Sequence, residues 1–166
     1  MIQLVSIILI AVLVAADQLI KMVVIDRLMP VSSMEFIPGI IEFNYTENTG
    51  AAFSILENHT GLLSIFTLLI IIAGLAYLLS GKLKDKLLVA SAILVLAGGI
   101  GNLIDRIFRG SELFHGYVVD YIKLLFMDFA IFNFADCLVC IGAGIIIVYL
   151  IIDIFKSSSD TKKKGQ

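Results

Sequence analysis

The sequence predicts an all-α membrane protein, four transmembrane helices with a small extracytoplasmic β-sheet between helices 1 and 2. Three observations carry that prediction. Of the 166 residues, 60% are hydrophobic and 16% charged, with a mean hydropathy of +1.04, whereas soluble domains sit near half apolar and about a quarter charged. Four stretches reach the ~20 apolar residues that a bilayer-crossing helix requires. Lysines gather in alternate connecting segments, the asymmetry that orients membrane chains.

The first span covers about residues 1–25. It has no Lys or Arg at its start, and its apolar stretch from Ile7 to Ala16 runs on through Asp17 and Lys21 to Ile25. A cleaved signal peptide would have a short apolar region and then a cleavage site, so the segment is expected to remain as a permanent helix. The loop from Asp26 to Gly61 carries Pro30, Pro38 and Gly39, followed by Ile40-Ile41-Glu42-Phe43-Asn44-Tyr45. Alternation in that run predicts a short half-buried strand, the seed of a sheet lying on the outer face. Spans two and three are expected at 62–79 and 87–104, joined by a link holding Lys82, Lys84 and Lys86. The loop from Asp105 to Asp128 follows, then a fourth span at about 129–155 and a solvated basic tail, 156–166, with Lys156, Lys162, Lys163 and Lys164. Cytoplasmic segments carry the excess of Lys and Arg, so both termini and the lysine link are predicted cytoplasmic, with two large loops outside. Residues 1–166 are read as one polytopic membrane domain working as a monomer, its tail meeting anionic lipid head groups.

Composition also excludes some function classes. A net charge of −2 offers no basic face for nucleic acid, which needs clustered cations against phosphate. Cys137 and Cys140 form one C-x-x-C, yet His59 and His115 lie in other segments, so no metal site is expected. The βαβ surroundings of a redox motif are missing too. Two small apolar residues one helical turn apart is the simpler account.

Polar chemistry should reside in the outer loops and in ionisable residues within the spans. Each of these costs ~2.5–3.5 kcal/mol to insert and is a functional candidate for that reason. Asp17 and Lys21 are four apart, acid before base, and share a helix face where they can pair; a structural ion pair near the outer interface fits them equally. At the outer end of the third span stands Gly98-Gly99-Ile100-Gly101-Asn102-Leu103-Ile104-Asp105-Arg106. It is no dinucleotide fingerprint, lacking both a preceding strand and the third glycine. Its glycines permit close helix approach and leave Asn102 facing the bundle, while Asp105 and Arg106 read as groups near the water interface.

The strongest pair is Asp120, in Tyr117-Val118-Val119-Asp120-Tyr121, with Asp136, in Phe132-Asn133-Phe134-Ala135-Asp136. Asn133 and Asp136 are three apart and are expected on one face inside the fourth span. Two acids meeting in a poorly solvated pocket cannot both ionise cheaply, so the pair holds a shared proton near neutral pH. An aspartic peptidase needs that arrangement: one carboxylate takes a proton from the attacking water, and the other stabilises the oxyanion and protonates the leaving amine. The same spacing also fits Asp120 as a loop cap and Asp136 as a buried hydrogen-bonded residue.

Five blocks taken together point further. Asp17-Gln18-x-x-Lys21, Glu47-Asn48-Thr49-Gly50-Ala51-Ala52-Phe53, Gly101-Asn102-x-x-Asp105-Arg106, Val118-Val119-Asp120-Tyr121 and Phe132-Asn133-x-Ala135-Asp136 closely resemble, in order and spacing, the bacterial lipoprotein signal peptidases, or signal peptidase II. The resemblance covers nearly the whole chain. It implies an intramembrane aspartic endopeptidase of the bacterial inner membrane that removes the signal peptide from prolipoproteins, cutting just before a diacylglyceryl-modified cysteine. It implies Asp120 and Asp136 as catalytic dyad, and Asn48, Gly50, Asn102, Arg106 and Asn133 as substrate-facing or site-lining residues. Asp17, Lys21, Gly101, Asp105 and Ala135 are implied as structural support, and neither metal nor cofactor is called for. The partners implied are diacylglyceryl-modified prolipoproteins and membrane lipids. Departures are Tyr121 where phenylalanine is common, Glu47 where an uncharged residue or arginine is frequent, and an extra Ser111-Glu112-Leu113-Phe114-His115. That insertion, flanked by Gly110 and Gly116, is expected to hinge over the cleft. The competing classes are a proton-coupled transporter, which predicts repeats or broken helices that the sequence lacks, and a lipid-binding scaffold, in which Asp→Asn changes would alter stability alone.

Overall fold

A computed structural model describes residues 1–50, 60–110 and 113–164, with side chains to Lys156. Four helices long and apolar enough to cross a membrane dominate: α1 (Ile2–Arg27), α2 (Thr60–Leu79), α3 (Lys86–Phe108) and α4 (Phe134–Lys164). The shortest, α2, has 20 residues and is about 30 Å long, matching a bilayer's hydrocarbon thickness. A helix satisfies its own backbone, which lipid cannot do. Leu4, Leu62, Leu69, Ile147 and Phe155 are correspondingly exposed on the outside of the bundle.

The hub is α3, which packs against all three other helices. Ile10, Ile71, Ile93, Leu96, Ala97, Leu103 and Leu138 form the core between them. Close approach needs small residues at the crossings. At Gly98 a Cβ would overlap the Ala135 carbonyl oxygen, and at Gly101 it would lie 2.5 Å from Asp17 Oδ2. Asp85 starts α3 by accepting hydrogen bonds from the Leu87 and Leu88 amides at 2.8 and 3.2 Å, the usual device for orphan donors at a helix start.

A three-stranded antiparallel sheet in the order β1 (Ser33–Ile37), β2 (Ile41–Asn48), β3 (Val118–Leu124) lies at the end of the bundle where α1 and α3 finish and α2 and α4 begin. The β1–β2 turn passes through Gly39 at φ +70°, a conformation glycine adopts without strain. β2 pairs with β3 so that Thr46 faces Asp120 and Asn48 faces Val118. Leu28, Val119 and Tyr121 are buried together beneath the sheet, with Val24, Phe43 and Phe134 against them.

The four spans and the small sheet agree with the expected architecture, and four boundaries move. The strand expected at 40–45 is a hairpin over 33–48, and a third strand arrives from the segment after α3. Its Val118-Val119-Asp120-Tyr121-Ile122 run has the β-branched and aromatic residues that favour a pleated surface. The fourth span begins at Phe134 rather than near 129, because Phe132 is drawn into a bridge with Ile122 of β3. Asn133 therefore precedes α4 instead of lying inside it. The third span runs on to Phe108, so Asp105 and Arg106 are buried helical residues at 0% and 8% exposure rather than groups at the water interface. The basic tail is helical as far as Lys164.

Candidate active site

Asn133 is the junction of the site. Its backbone N–H donates to Asp136 Oδ2 at 3.0 Å and its Oδ1 accepts from the Asp136 N–H at 3.0 Å, a reciprocal cap that opens α4. With its oxygen so engaged, its amide nitrogen points the other way. There it donates to Asp120 Oδ1 at 2.6 Å and to Asn102 Oδ1 at 3.1 Å. One residue thus binds both carboxylates, that of Asp120 on β3 through its side chain and that of Asp136 in the first turn of α4 through its backbone N–H.

The remaining oxygens are claimed in the same manner. Asn48, the last residue of β2, donates from Nδ2 to Asp120 Oδ2 at 2.8 Å, while its Oδ1 accepts the Gly50 N–H at 2.9 Å. Asn102 donates to Asp136 Oδ1 at 2.8 Å. Arg106 crosses to the Gly50 carbonyl at 2.9 Å and backs onto the Asn102 carbonyl at 3.4 Å. All of these side chains except Asn133 line a cleft of about 370 Å³, walled further by Val118, Phe129, Phe132, Cys137, Val139 and Cys140. Its polar groups gather around the acids, and its other walls are apolar.

Asp120 is buried, at 2% exposure. Burial first, and the Asp136 charge second, push its carboxyl up to about 6, against the pull of the Asn48 and Asn133 amides and the Lys21 ammonium. The group thus holds its proton to a higher pH than an ordinary carboxyl.

A second polar cluster, between α1 and α3, adjoins the site through Asn102. Lys21 donates to Asp17 Oδ2 at 3.0 Å and to Asp105 Oδ2 at 2.9 Å, all three side chains at 0% exposure. Asp105 also takes Arg109 Nε at 2.8 Å on Oδ1 and the Val119 N–H at 3.2 Å on Oδ2. Gln18 donates to Asp17, to the Gly101 carbonyl and to Asp105 at 3.1, 3.1 and 3.2 Å. Gly101 leaves room for Asp17, and Ala135, fully buried, packs on the same stretch of α3.

The structure therefore gathers Asp120, Asp136, Asn48, Gly50, Asn102, Arg106 and Asn133 in one site, with Asp17, Lys21, Gly101, Asp105 and Ala135 directly behind it. Sequence reasoning passed over Gln18 and Arg109 as members of the buried cluster. Arg109 follows Asp105 by four residues, the helical spacing of an ion pair, and that was the available signal. Cys137 and Cys140 lie on the cleft wall. Of the extra outer segment, Ser111 and Glu112 fall outside the described residues, as do Ala51, Ala52 and Phe53. Phe114 and Gly116 are held by Ser64 Oγ donating to the Phe114 carbonyl at 3.2 Å and by the Gly116 N–H donating to the Arg106 carbonyl at 2.9 Å.

Comparison with known proteins identifies the family. The profile of signal peptidase (SPase) II matches residues 9–152. A lipoprotein signal peptidase of Streptococcus thermophilus (strain CNRZ 1066) is 42% identical over 138 residues, 83% of this chain and 86% of that one. One of Streptococcus agalactiae serotype Ia is 38% identical over 148 residues, 89% of this chain and 90% of that one. A solved bacterial membrane enzyme superposes with a TM-score of 0.75 at 32% identity, covering 90% of this chain and 89% of its own. By its matched residues, its relatives and its fold, the chain belongs to the signal peptidase II family.

Proposed function

We propose that this protein is an intramembrane aspartic endopeptidase that removes signal peptides from prolipoproteins, cutting just before a diacylglyceryl-modified cysteine. The observation that carries the chemistry is the bridging of the two carboxylates by one residue, Asn133, whose side-chain amide donates to Asp120 and whose backbone N–H donates to Asp136, beside a largely apolar cleft that both acids line. A lipid-tethered substrate has a polar backbone beside acyl chains, and this cleft offers polar groups beside Phe129, Val139 and Cys140.

Asp120, its carboxyl raised to about 6, is assigned the shared proton, and Asp136 acts as the base. Asp136 takes a proton from a water molecule whose oxygen bonds to the scissile carbonyl carbon. Asp120 donates a hydrogen bond to the developing oxyanion. As the C–N bond breaks, the leaving amine receives a proton from the dyad. Asn48 and Asn102 hold the acids in register, and Arg106, on the cleft lining, fixes the Gly50 carbonyl. The protein works as a monomer in the bacterial inner membrane, with both termini cytoplasmic and the site near the outer face. A transporter or a lipid scaffold is not favoured by the family match.

The test is cleavage of a diacylglyceryl-modified prolipoprotein by purified protein in detergent. Asp120→Asn and Asp136→Asn should each lower kcat by roughly 10³-fold or more, as losses of a catalytic group do, with folding retained. Undiminished cleavage by both variants would refute the assignment. Equal cleavage of the unlipidated precursor would remove the lipid specificity.

A further inference from the structure

The buried ammonium of Lys21 makes three contacts, and only two are to acids. It lies 3.0 Å from Asp17 and 2.9 Å from Asp105, and its third donor meets Asn102 Oδ1 at 2.9 Å. An ammonium has three donors and no acceptor capacity, so Lys21 is fully used and the Asn102 atom facing it must be the oxygen. That oxygen receives a second donor from Asn133 Nδ2 at 3.1 Å. Both its lone pairs are taken, and the Asn102 amide nitrogen is left pointing at Asp136 Oδ1, 2.8 Å away. A turned amide would set its NH₂ against the ammonium, two donors face to face in a buried site, which is heavily disfavoured.

A structural ion pair would need no third contact. Neutrality of the cluster is already reached by Lys21 and Arg109 against Asp17 and Asp105. The same cluster reaches the other acid by a separate route. Asp105 Oδ2, which accepts Lys21, also accepts the backbone N–H of Val119, the neighbour of Asp120 on β3.

We propose that Lys21 is a positioning residue of the dyad. Its ammonium fixes the Asn102 amide in the orientation that presents a donor to Asp136, and through Asp105 it sets the depth of the strand carrying Asp120. This inference rests on the dyad reading above. Lys21 itself touches neither acid of the dyad, and acts through Asn102 and Asp105 of α3.

Removing Lys21 alone would strand the buried Asp17 carboxylate, so the informative variant is the charge-neutral pair Asp17→Asn/Lys21→Met, which leaves Asp105 with Arg109. It is assayed as full-length protein in detergent on the diacylglyceryl-modified precursor, in the wild-type and the Asn102→Ala backgrounds. The expected result is a kcat lowered 10- to 100-fold with KM within about twofold in the wild-type background, and little further loss once Asn102 is alanine, because the contact through which Lys21 acts is already gone. Equal proportional losses in both backgrounds, or unchanged kcat, would overturn the proposal.

Should the pair variant fail to fold, the Nζ resonance of ¹⁵N-labelled Lys21 in the wild-type sequence provides a second measurement. It should shift in both Asn102→Ala and Asp136→Asn, and constancy in both would equally overturn the proposal. Asp120→Asn and Asp136→Asn run alongside. If they still cleave, the dyad reading itself is wrong; if they are dead while the pair variant is fully active, only the role of Lys21 falls.

Discussion

Each asparagine of the site has its amide direction settled by a neighbour of fixed polarity. The Gly50 N–H settles Asn48, the Asp136 N–H settles Asn133, and the Lys21 ammonium settles Asn102. Three amide nitrogens are left to point at two carboxyls. The five motif blocks and their resemblance to a known family exposed which residues would meet, and an acid, asparagine or lysine such as Asp17, Lys21, Asn102 or Asp136 also stands out in a membrane helix. Spacing could not expose who donates to whom, since that depends on partners from other elements. One consequence is measurable in the resting protein. Folded Asp120 keeps its proton up to about 6, while in the unfolded chain it titrates near its ordinary 3.8. Between those values the folded state binds more protons, so this group's stabilising contribution is full below about 4 and is lost as pH rises to about 6. Thermal unfolding in detergent should show wild type losing about 2 to 3 kcal/mol relative to Asp120→Asn across that interval, and a pH-independent difference would contradict the assignment. Asp136, the Asn48 and Asn133 amides, Lys21 and Arg106 are the groups whose dipoles and charges bear on this titration.

Helices were legible nearly to their ends, because four apolar stretches of sufficient length leave lipid-crossing segments as the natural reading. The ends themselves were not. The fourth stretch reads as helical from Phe129, yet α4 begins only at Phe134, after Phe132 has bridged to Ile122 of β3. A tertiary partner decided what local hydrophobicity could not. β3 was hidden for the same reason: its strand-forming run had no visible partner until β2 was placed beside it. Helix crossings supply a prediction at this scale. Gly101→Ala puts a Cβ 2.5 Å from Asp17 Oδ2, so it should lower stability by about 1–3 kcal/mol, the range for overpacking, and disturb the Lys21 cluster along with it. Gly144, also in a membrane helix, has nothing within 4 Å of such a Cβ. Alanine there should be neutral or raise the melting midpoint, since it favours helix by up to about 1 kcal/mol. Equal effects of the two changes would show that packing at the α1–α3 crossing is looser than drawn.

For the whole molecule, α1 and α3 end and α2 and α4 begin at the sheet, so Ser33 on β1 and Ser80 after α2 sit at opposite ends of the bundle. The lysine-rich link beside Ser80 predicts that its end faces the cytoplasm. In intact cells, with Cys137 and Cys140 replaced, a membrane-impermeant maleimide should label Ser33→Cys and spare Ser80→Cys; the reverse pattern would invert the orientation. Composition made the membrane setting legible, and the five motif blocks made the family legible. How the blocks assemble was not, because contacts such as Asn48 with Asp120 join residues 72 apart in the chain. That long reach imposes an order on manufacture. While the ribosome is still delivering the chain, β2 waits through two membrane crossings for β3, and the bridging asparagine appears only afterwards, at the threshold of the final helix. On the proposed chemistry a half-made copy would carry no working blade, and the hydrolase would arm itself only when its last span had been set in place.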